Sequence, residues 1–521
     1  MGLFQFSDIP TMEDFGAQLN RDLLARIVQI WIIYRVALML YNISPWHPLY
    51  QFPGPRLARM TFLYEFWFDF VCHGRYTWQI QKMHDKYGPI VRINPEELHC
   101  NDPEFVDEIY AVGGRIRDKY QHFLNANSGP VSSSSFGSRV HEVHRMRRSA
   151  VNKSFSRTQM KILEPEIHEL TQYFCDKLLV WVKDEPLDLV MAFSCFTSDT
   201  ISNYAYGEPL GFLAQDGWEK NYKAALNAFL QTMYMFRFFT PLRHLVVLAP
   251  YTMSLMPMHM ANLFKELTET LPYHIRRATD GEAKTQGRIF ADLLDSNLPD
   301  EEKTIYRLSG EGFSLTGAGT ETTANTLSVI TFHLLTQPKV RARLEQELQG
   351  QDSRNLDWQT LEQLPYLYGV MYEGLRLSYG LSTRLPRIAR TENLKYESTD
   401  GRFSYVVPMG TPIGMSSAIM HHNEDVFPDS HAFKPERWID ASGQKNLRLE
   451  RFMMSFSRGS RQCVGMNLAL CEMYLLVAAL TLRGLSHLHL YETTIGDIKY
   501  DHDLMVPQPK RGSKGVRVLI R

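Results

Sequence analysis

The chain has 521 residues and a formal net charge of −1, with 44% hydrophobic and 12% aromatic residues. This composition is ordinary for a globular protein and excludes wholesale disorder, collagen-like repeats and coiled-coil rods. The near-zero net charge gives no electrostatic argument for binding nucleic acid. The six cysteines are scattered and form no C-x-x-C pair, which is unlike a disulfide framework and fits a reducing compartment.

An apolar and aromatic segment lies near the N-terminus, at residues 23–43. Its length is about the 20 residues that a helix needs to cross a bilayer. Arg26 and Arg35 interrupt it, and Arg35 would be costly at the bilayer centre. Three interpretations remain open: a tilted single span, an amphipathic helix lying in the membrane interface, and a soluble helix. If the segment spans the membrane, the tail before it, which has few basic residues, should lie outside the cytosol, and Arg56 and Arg59 after it should lie in the cytosol.

Helical periodicity dominates the rest of the chain, and the strand-like runs are short. Helices are predicted at 159–182, 219–239, 258–278, 308–335, 339–349, 361–377 and 467–482, and strands at 90–93, 403–407 and 516–520. Prolines between residues 45 and 55 predict a stiff linker. We therefore predict a mainly α fold with small β-sheets, as one large domain over residues 46–521, behind a tail and membrane-anchor helix in residues 1–45.

The most informative motif is FSRGSRQCVG at residues 456–465, which precedes an apolar helical run. Cys463 would lie at the N-terminal edge of that helix, where free N–H groups and the helix dipole favour a thiolate. Such a thiolate is a good axial ligand for haem iron. Gly465 lets a macrocycle approach, Arg461 can pair with a propionate, and Phe456 can cover the sulfur. The alternative is a buried structural cysteine at a helix start.

With the pattern F-x-x-G-x-R-x-C-x-G intact, the chain resembles the cytochrome P-450 family, and the resemblance extends over nearly its whole length. It implies the cytochrome P-450 fold and haem b, with Cys463 as the axial ligand of the iron. It also implies a monooxygenase that inserts one oxygen atom from O₂ into a lipophilic small molecule by hydroxylation or epoxidation.

A second motif is the pair Glu373 and Arg376, which are three residues apart in a helical stretch and can therefore meet on one face. The resemblance implies that Arg437, in the sequence FKPERW, joins them in a structural triad that holds the loop carrying Cys463. The alternative is a solvated surface pair worth under about 1 kcal/mol.

The sequence GAGTETT, residues 317–323, lies inside a long apolar helix. Each glycine there costs about 1 kcal/mol relative to alanine, which indicates the close approach of something large. The resemblance implies the oxygen-activation helix, with Ala318 and Gly319 beside the haem. Thr322 can bond back to the Ala318 carbonyl and open the helix locally, and with Glu321 and water it can relay protons to the activated oxygen. The alternative is a glycine-weakened core helix.

Further cations are implied as partners of the haem propionates. In HRMRR, residues 144–148, Arg148 keeps the position of the family pattern W-x-x-x-R, whereas His144 replaces the tryptophan and is a candidate propionate partner. Arg387 matches another propionate-pairing position, so that Arg148, Arg387 and Arg461 together balance two carboxylates. The alternative for residues 144–148 is a solvated basic helix face.

Short stretches near the N-terminus, FPGP, KYGPIVRI and DPEF, are similar to fungal microsomal members, especially the trichodiene-oxygenase-like group. This similarity implies a terpenoid or polyketide substrate in secondary metabolism, and single-pass anchoring in the endoplasmic reticulum membrane with the catalytic domain facing the cytosol. No flavin or nicotinamide domain follows, so the expected electron source is NADPH through a separate NADPH–cytochrome P-450 reductase. Substrate contacts are expected from residues 121–131, from the helix near Phe313 and from residues 381–383.

Three other functions remain open from the sequence. The first is xenobiotic detoxification by the same chemistry. The second is oxygen-independent isomerisation or dehydration by the same fold, although members of that kind tend to lose the acid–alcohol pair and Glu321 and Thr322 are both present. The third is a haem-free helical scaffold attached to a membrane.

Overall fold

Helices dominate the described part of the chain, as the sequence predicts. The computed structural model describes residues 12–181, 185–219, 221–248, 256–279 and 288–521. The residues 1–11, predicted to begin the basic-poor tail, lie outside the described residues. The α-helices are α1 (Met12–Ile43), α2 (Arg56–Met60), α3 (Leu63–Phe66), α4 (Tyr76–Tyr87), α5 (Val106–Ile109), α6 (Gln121–Leu124), α7 (His141–Asn152), α8 (Arg157–Val180), α9 (Leu189–Tyr206), α10 (Lys223–Phe238), α11 (Met258–Lys265), α12 (Leu271–Thr279), α13 (Ile289–Leu294), α14 (Ile305–Thr336), α15 (Pro338–Leu348), α16 (Trp358–Gln363), α17 (Pro365–Ser378), α18 (Ser417–Met420) and α19 (Met466–Arg483).

Shorter helical turns connect several of these elements. Two are π-helices, Trp67–Val71 and Glu266–Thr270. The 3₁₀ turns are Pro103–Phe105, Gly129–Ser133, Thr240–Leu248, Asp300–Lys303, Pro435–Trp438, Leu447–Phe452, Gly459–Arg461, Leu485–His487 and Ile495–Asp497.

The strands are short and form small sheets around the helical core. They are β1 (Ile90–Arg92), β2 (Leu98–Cys100), β3 (Arg117–Lys119), β4 (Leu187–Asp188), β5 (Arg387–Ala389), β6 (Leu394–Glu397), β7 (Ser404–Val407), β8 (Pro412–Gly414), β9 (Leu488–Leu490), β10 (His502–Leu504), β11 (Val506–Gln508) and β12 (Arg517–Ile520). The largest sheet has the order β1-β2-β8-β5-β3, in which only β2 and β8 are parallel. A second sheet has the order β4-β12-β9, and β6-β7 and β10-β11 form separate pairs.

The helical pattern differs from the prediction in several places, including α4 and α7, which were not predicted. The helix predicted over 361–377 is two helices, α16 and α17, because Pro365 has no N–H and begins α17 at its first position. Helix α9 was not predicted, since its serines and threonines hide its periodicity. Thr197 and Ser198 donate to the carbonyls of Phe193 (3.0 Å) and Ser194 (2.6 Å), so that their hydroxyls are satisfied inside the helix.

Helix α14 runs through the centre of the fold and packs against α9, α10 and α17. Its two glycines let the neighbouring helices approach. A Cβ on Gly319 would lie 3.1 Å from the side chain of Ile201 in α9, and a Cβ on Gly317 would lie 3.1 Å from Leu226 in α10. On these faces of α14, the glycines therefore allow the close approach of two neighbouring helices, α9 and α10. These contacts do not test the predicted place of Gly319 beside the haem, which stays a prediction.

Two helices in the described residues are long and apolar enough to cross a membrane. Helix α19 is mostly buried and belongs to the core. The other, residues 22–43 of α1, has no buried share over its apolar window, and Ile30 and Ile33 are 67% and 68% exposed. An exposed apolar helix of this length needs a covering environment, and a bilayer supplies one. The segment is compatible with a membrane anchor.

The predicted pair Glu373 and Arg376 lies wholly inside the fold, with 0% exposure of both side chains. Arg376 donates to both carboxylate oxygens of Glu373 (2.9 and 2.8 Å), and Arg437 donates to the same carboxylate (3.0 Å). The backbone N–H of Lys434 and the indole N–H of Trp438 also donate to it, each at 2.9 Å. The solvated surface pair is therefore the wrong alternative for these residues.

The charge state of Glu373 follows from these contacts. Burial by itself would raise the pKa of Glu373, but the hydrogen bonds and charges of Arg376 and Arg437 hold that pKa below its ordinary value. The carboxylate is thus ionised and paired, and its loss would leave two guanidinium groups without their anion.

A histidine joins this ion pair to the loop that carries Cys463. His421 donates through Nδ1 to the carbonyl of Arg376 (2.8 Å), and its Nε2 accepts the backbone N–H of Met454 (2.8 Å). Burial lowers the pKa of His421 to about 3, so the ring is neutral, as this hydrogen-bond pattern requires. Ser455 also donates to the carbonyl of Leu375 (2.8 Å). The residues before the loop are therefore anchored to α17.

We predict that Arg376→Ala lowers the free energy of unfolding by about 3–5 kcal/mol, because it leaves Glu373 as an unpaired buried charge. Chemical denaturation followed by circular dichroism measures this change. The matched control is Arg402→Ala, whose guanidinium contacts Asp400 on the surface, and which should cost under about 1 kcal/mol. Equal effects of the two substitutions would contradict the structural role of the triad.

Candidate active site

A large cavity lies between α14 and the loop that contains Cys463. The empty space in it, including the part that opens to solvent, is about 1950 Å³. Helices α7, α10 and α19 and the segment after α17 contribute further walls. All the sequence-predicted residues of the cofactor and catalytic site line this cavity: His144, Arg148, Ala318, Gly319, Glu321, Thr322, Arg387, Phe456, Arg461, Cys463 and Gly465.

Cys463 lies in the loop before α19, three residues ahead of the first helical residue, Met466. Its side chain is exposed, but the surface that it faces is the cavity in the interior of the protein. Burial raises the pKa of the Cys463 thiol, while the N–H of Gly465 and the charge of Arg148 oppose that rise without reversing it. The helix end therefore does not by itself bring the pKa of the thiol below its ordinary value. Binding of a metal ion to Cys463 would be coupled to release of the thiol proton.

The loop around Cys463 is held by its own backbone and by neighbouring segments. The N–H of Cys463 donates to the carbonyl of Phe456 (2.8 Å). Gly459 has φ of +78°, and a Cβ there would lie 2.3 Å from the carbonyl oxygen of Tyr110. Only glycine combines this left-handed conformation with so close a contact. The sulfur is consequently directed by a turn that a larger residue at position 459 would not allow.

Five basic side chains surround one end of the cavity. They are Lys119, His144, Arg148, Arg387 and Arg461. None of them forms a salt bridge with a carboxylate of the described residues. Their hydrogen bonds go mainly to backbone carbonyls: Arg461 donates to Arg117, Ser138 and Arg139 at 3.1, 2.7 and 2.8 Å, Arg148 to Gln462, and Arg387 to Leu385 and Pro386 at 3.3 and 3.2 Å.

The strand register brings two of these cations together. Lys119 in β3 is directly opposite Arg387 in β5, although like charges at facing positions destabilise a sheet. Burial, together with Arg461 and Arg387, lowers the pKa of Lys119 well below its ordinary value. Burial and the surrounding cations also lower the pKa of His144 to about 2, so its ring is neutral. This end of the cavity is therefore complementary to an anion.

Thr322 and Ala318 lie on the α14 wall of the same cavity. The Thr322 hydroxyl donates to the carbonyl of Ala318 (2.8 Å), as the sequence predicts. The expected local opening of the helix is not seen, because α14 is continuous from Ile305 to Thr336. The carboxylate of Glu321 does not contact Thr322. It pairs instead with Lys223 at the start of α10, with Nζ–O distances of 3.1 and 3.3 Å.

Comparison with known proteins identifies the architecture. Residues 53–513 match the family model described as cytochrome P-450. The chain belongs to the cytochrome P-450 family. It is 41% identical to cytochrome P-450 monooxygenase ppzE of Metarhizium majus, over 81% of this chain and 92% of that protein. It is 38% identical to conidiogenone synthase of Penicillium rubens (93% and 96% covered) and 37% identical to tryptophan 6-hydroxylase fscE of Fusarium equiseti (91% and 92% covered).

Because the chain belongs to this family and is similar to these fungal enzymes, it is a fungal cytochrome P-450 monooxygenase of the kind found in secondary metabolism. A cytochrome P-450 carries haem with a cysteine thiolate ligand and receives electrons from a redox partner. The residues present fit that group. The unpaired cations suit its two propionates, and a Cβ on Gly465 would meet only the ring of Phe155, at 3.8 Å, which leaves the remaining space beside it to the macrocycle.

Two of the residues at this site were missed by the sequence analysis. Lys119 belongs to a three-residue strand and Lys223 begins a helix after a loop, so each resembles an ordinary surface lysine in the sequence. Their partners are more than eighty residues away, and no local spacing connects them. Only the packing of β3 against β5 and of α10 over α14 reveals them.

We predict that Cys463→Ala abolishes the absorption band of the reduced carbon monoxide complex that gives the family its name, since that band requires a thiolate ligand. Difference spectroscopy of the purified protein tests this expectation. Cys471→Ala is the matched control, because Cys471 lies in α19, eight residues further on, and does not line the cavity. An unchanged band in the Cys463 variant would remove the ligand assignment.

We also predict that Arg387→Gln releases haem about tenfold faster or more, because one charge-assisted hydrogen bond is worth roughly 1.5–3 kcal/mol. Transfer of haem to an excess of apomyoglobin measures the rate. Arg390→Gln serves as the control, since Arg390 is exposed, does not line the cavity, and pairs with the exposed Glu142 and the buried Asp118. Similar rates for both variants would show that Arg387 does not hold a propionate.

Proposed function

We propose that this chain inserts one oxygen atom from O₂ into a lipophilic secondary metabolite, with Cys463 as the axial ligand of haem b. The single observation that supports this proposal most is the arrangement of the cavity. It brings Cys463 from one wall, Thr322 from the opposite helix and the unpaired cations from one end around one apolar space. When bound, a haem with a thiolate ligand supplies the activation of O₂ and the cleavage of its O–O bond.

The predicted site residues that line the cavity have separate roles in this proposal. Arg148, Arg387 and Arg461 would pair with the propionates, and the neutral ring of His144 would donate a hydrogen bond to one of them. Phe456 would cover the sulfur, and Gly465 and Ala318 would leave room for the macrocycle. Gly319 lines the same space with its backbone.

Proton delivery is assigned to Thr322 and Glu321. The Thr322 hydroxyl is held in place by the Ala318 carbonyl and faces the cavity. Glu321 is largely buried and its carboxylate is paired with Lys223, which is the more accessible of the two. The carboxylate must leave Lys223, or exchange protons through water beside it, to supply Thr322. Lys223 is in this scheme a positioning residue, because it acts through Glu321.

The electrons are proposed to come from NADPH through a separate NADPH–cytochrome P-450 reductase. Arg145 and Lys153 are exposed on and just after α7, the helix whose Arg148 contacts the carbonyl of Gln462 beside Cys463. A basic surface beside the thiolate loop suits an acidic flavin domain. Arg458 contributes less, since its guanidinium lies 3.5 Å from the carboxylate of Asp107.

We further propose that residues 1–45 form the tail and membrane anchor, and that residues 46–521 form the catalytic domain on the cytosolic side of the endoplasmic reticulum. The exposed apolar stretch 22–43 supports this arrangement.

Deletion of residues 1–45 should move the protein from the membrane fraction toward the soluble fraction. Protease treatment of intact microsomes should digest the catalytic domain, whereas full protection of that domain would reverse the proposed orientation.

The class of reaction is tested by expressing the full chain with a reductase and supplying terpenoid, polyketide and indole precursors. Terpenoids and polyketides are the substrates expected from the sequence, and indoles are added because one relative is a tryptophan 6-hydroxylase. The expected product is heavier by one oxygen atom, and that atom carries the label when isotopically labelled O₂ is used. Turnover without reductase or O₂ would instead support the isomerase alternative.

We predict that Thr322→Ala lowers the yield of oxidised product per NADPH at least about tenfold, because a positioned proton donor contributes 10²- to 10⁴-fold and water can replace part of it. NADPH consumption should continue and hydrogen peroxide should appear. Ser328→Ala is the control, since Ser328 is buried in the same helix, donates to the Ala324 carbonyl (2.7 Å) and lies outside the cavity. Full coupling in the Thr322 variant would remove its assigned role.

A further inference from the structure

Two polar side chains that line the cavity have no role in the chemistry proposed above. Asn127 precedes the 3₁₀ turn Gly129–Ser133, and Ser314 lies on α14. These two elements are in close contact, since a Cβ on Gly310 of α14 would lie 2.0 Å from the carbonyl oxygen of Pro130. Asn127 and Ser314 therefore belong to adjoining walls of one cavity.

Asn127 is a buried side chain without a polar partner. It is 1% exposed, and neither its Oδ1 nor its Nδ2 forms a hydrogen bond within the described part of the chain. A buried polar group left unpaired costs roughly 1–3 kcal/mol, and such groups are rare in native proteins. Leucine would fill nearly the same volume without this cost, so the amide at this position indicates a partner that the chain itself does not supply.

Ser314 is unusual among the hydroxyl residues of α14. Ser309, Thr322, Thr326 and Ser328 each donate to the carbonyl four residues earlier, at 2.7 to 2.9 Å. The Oγ of Ser314 is buried and makes no hydrogen bond among the described residues. The helix thus satisfies these four hydroxyls, whereas the hydroxyl of Ser314, a residue that lines the same cavity as Asn127, has no partner among the described residues.

A buried carboxylate in the same wall limits which ligand groups can bind there. Glu311 is buried one turn before Ser314 and also lines the cavity. Its carboxylate accepts from Arg307 and from the N–H of Ser135, both at 2.9 Å, and from the hydroxyl of Ser135 at 3.0 Å, so it is fixed in place. An anionic ligand group beside it would meet a like charge, whereas a neutral polar group would not.

We propose that the substrate is an apolar molecule that carries a neutral amide or lactam, and that Asn127 and Ser314 bind that group. The asparagine side chain offers one acceptor and two donors side by side. Its best complement is a group with an N–H next to a C=O, which a lactam presents in the required cis arrangement. Because both amide atoms of Asn127 are buried, binding requires the side chain to turn toward the cavity, and the Ser314 hydroxyl would provide a further donor or acceptor.

The neighbouring surface suits the apolar remainder of such a molecule. Leu226, Phe229 and Leu230 of α10 and Phe313 of α14 line the same cavity. The proposal rests on the proposed function, because it names the substrate class of the same site. It adds orientation, since an amide held at Asn127 determines which carbon of the ligand lies nearest to Cys463 and Thr322.

The test uses the holoenzyme and three probes of one shape: dihydroquinolinone, a bicyclic aryl lactam; dihydrocoumarin, the corresponding lactone; and N-methyl dihydroquinolinone. Isothermal titration calorimetry gives the affinities, and the shift of the haem absorption band reports binding beside the iron. The wild-type protein should bind the lactam about tenfold more tightly than the lactone or the N-methyl lactam, since one buried hydrogen bond is at stake. Equal affinities for the three probes would overturn the proposal.

Substitutions of Asn127 and Ser314 test whether these two residues cause the preference for the lactam over the lactone. Asn127→Leu should bind the lactam and the lactone equally and should unfold at the same or a higher temperature, because it removes an unpaired amide. Ser314→Ala should reduce the preference, whereas Ser309→Ala, five residues earlier on the same helix, should keep it. A lactam preference that survives in Asn127→Leu would overturn the proposal. If that variant does not fold, the wild-type comparison of the three probes decides alone.

The failure of this inference is distinguishable from that of the proposed function. A protein that carries thiolate-bound haem and oxidises other lipophilic precursors, but binds lactam and lactone equally, contradicts only the substrate class. A protein without the thiolate–haem spectrum contradicts the proposed function, whatever the probe affinities are.

Discussion

The structure depends on one buried ion pair and the contacts that extend from it. Glu373 and Arg376 are wholly inside the protein, where neither charge is tolerated without the other. Arg437 and Trp438 bring the downstream segment to the same carboxylate, and His421 links the carbonyl of Arg376 to the backbone of Met454. Because these contacts are directional, they determine where the loop with Cys463 begins. The position of the sulfur beneath α14 follows from that.

A second constraint is the concentration of positive charge at one end of the cavity. Lys119 faces Arg387 across two strands, and His144, Arg148 and Arg461 surround them without a carboxylate from the described residues. A protein stabilised only by its own contacts would not be expected to keep such a cluster, since each burial lowers the pKa of a cation. A haem, which carries two carboxylates, would supply the missing anions. The same reasoning underlies the proposal for Asn127, whose amide would be paired by a polar group on the substrate.

The cavity thus separates its tasks among different elements. In the proposals above, the loop before α19 and the strands β3 and β5 would hold the cofactor, α14 would deliver protons, and the turn after α6 with the adjoining part of α14 would bind the substrate. Lys223 connects two of these tasks, because it begins the helix α10 whose apolar residues cover the cavity and it also holds the carboxylate of Glu321. A movement of α10 would therefore change substrate access and the freedom of Glu321 together.

The sequence alone determined the family, the ligand motif around Cys463, the triad partners and the Thr322 hydrogen bond, because each depends on residues at short spacings or on a local helix. It also predicted most of the long helices, though not α9, whose hydroxyl residues hide its periodicity. The tertiary structure alone decided that Gly317 and Gly319 face neighbouring helices, that Lys119 lies opposite Arg387, that Glu321 pairs with Lys223, and that Asn127 has no hydrogen-bond partner among the described residues. These are properties of segments far apart in the chain, and their contacts arise only when the packing of the core brings those segments together.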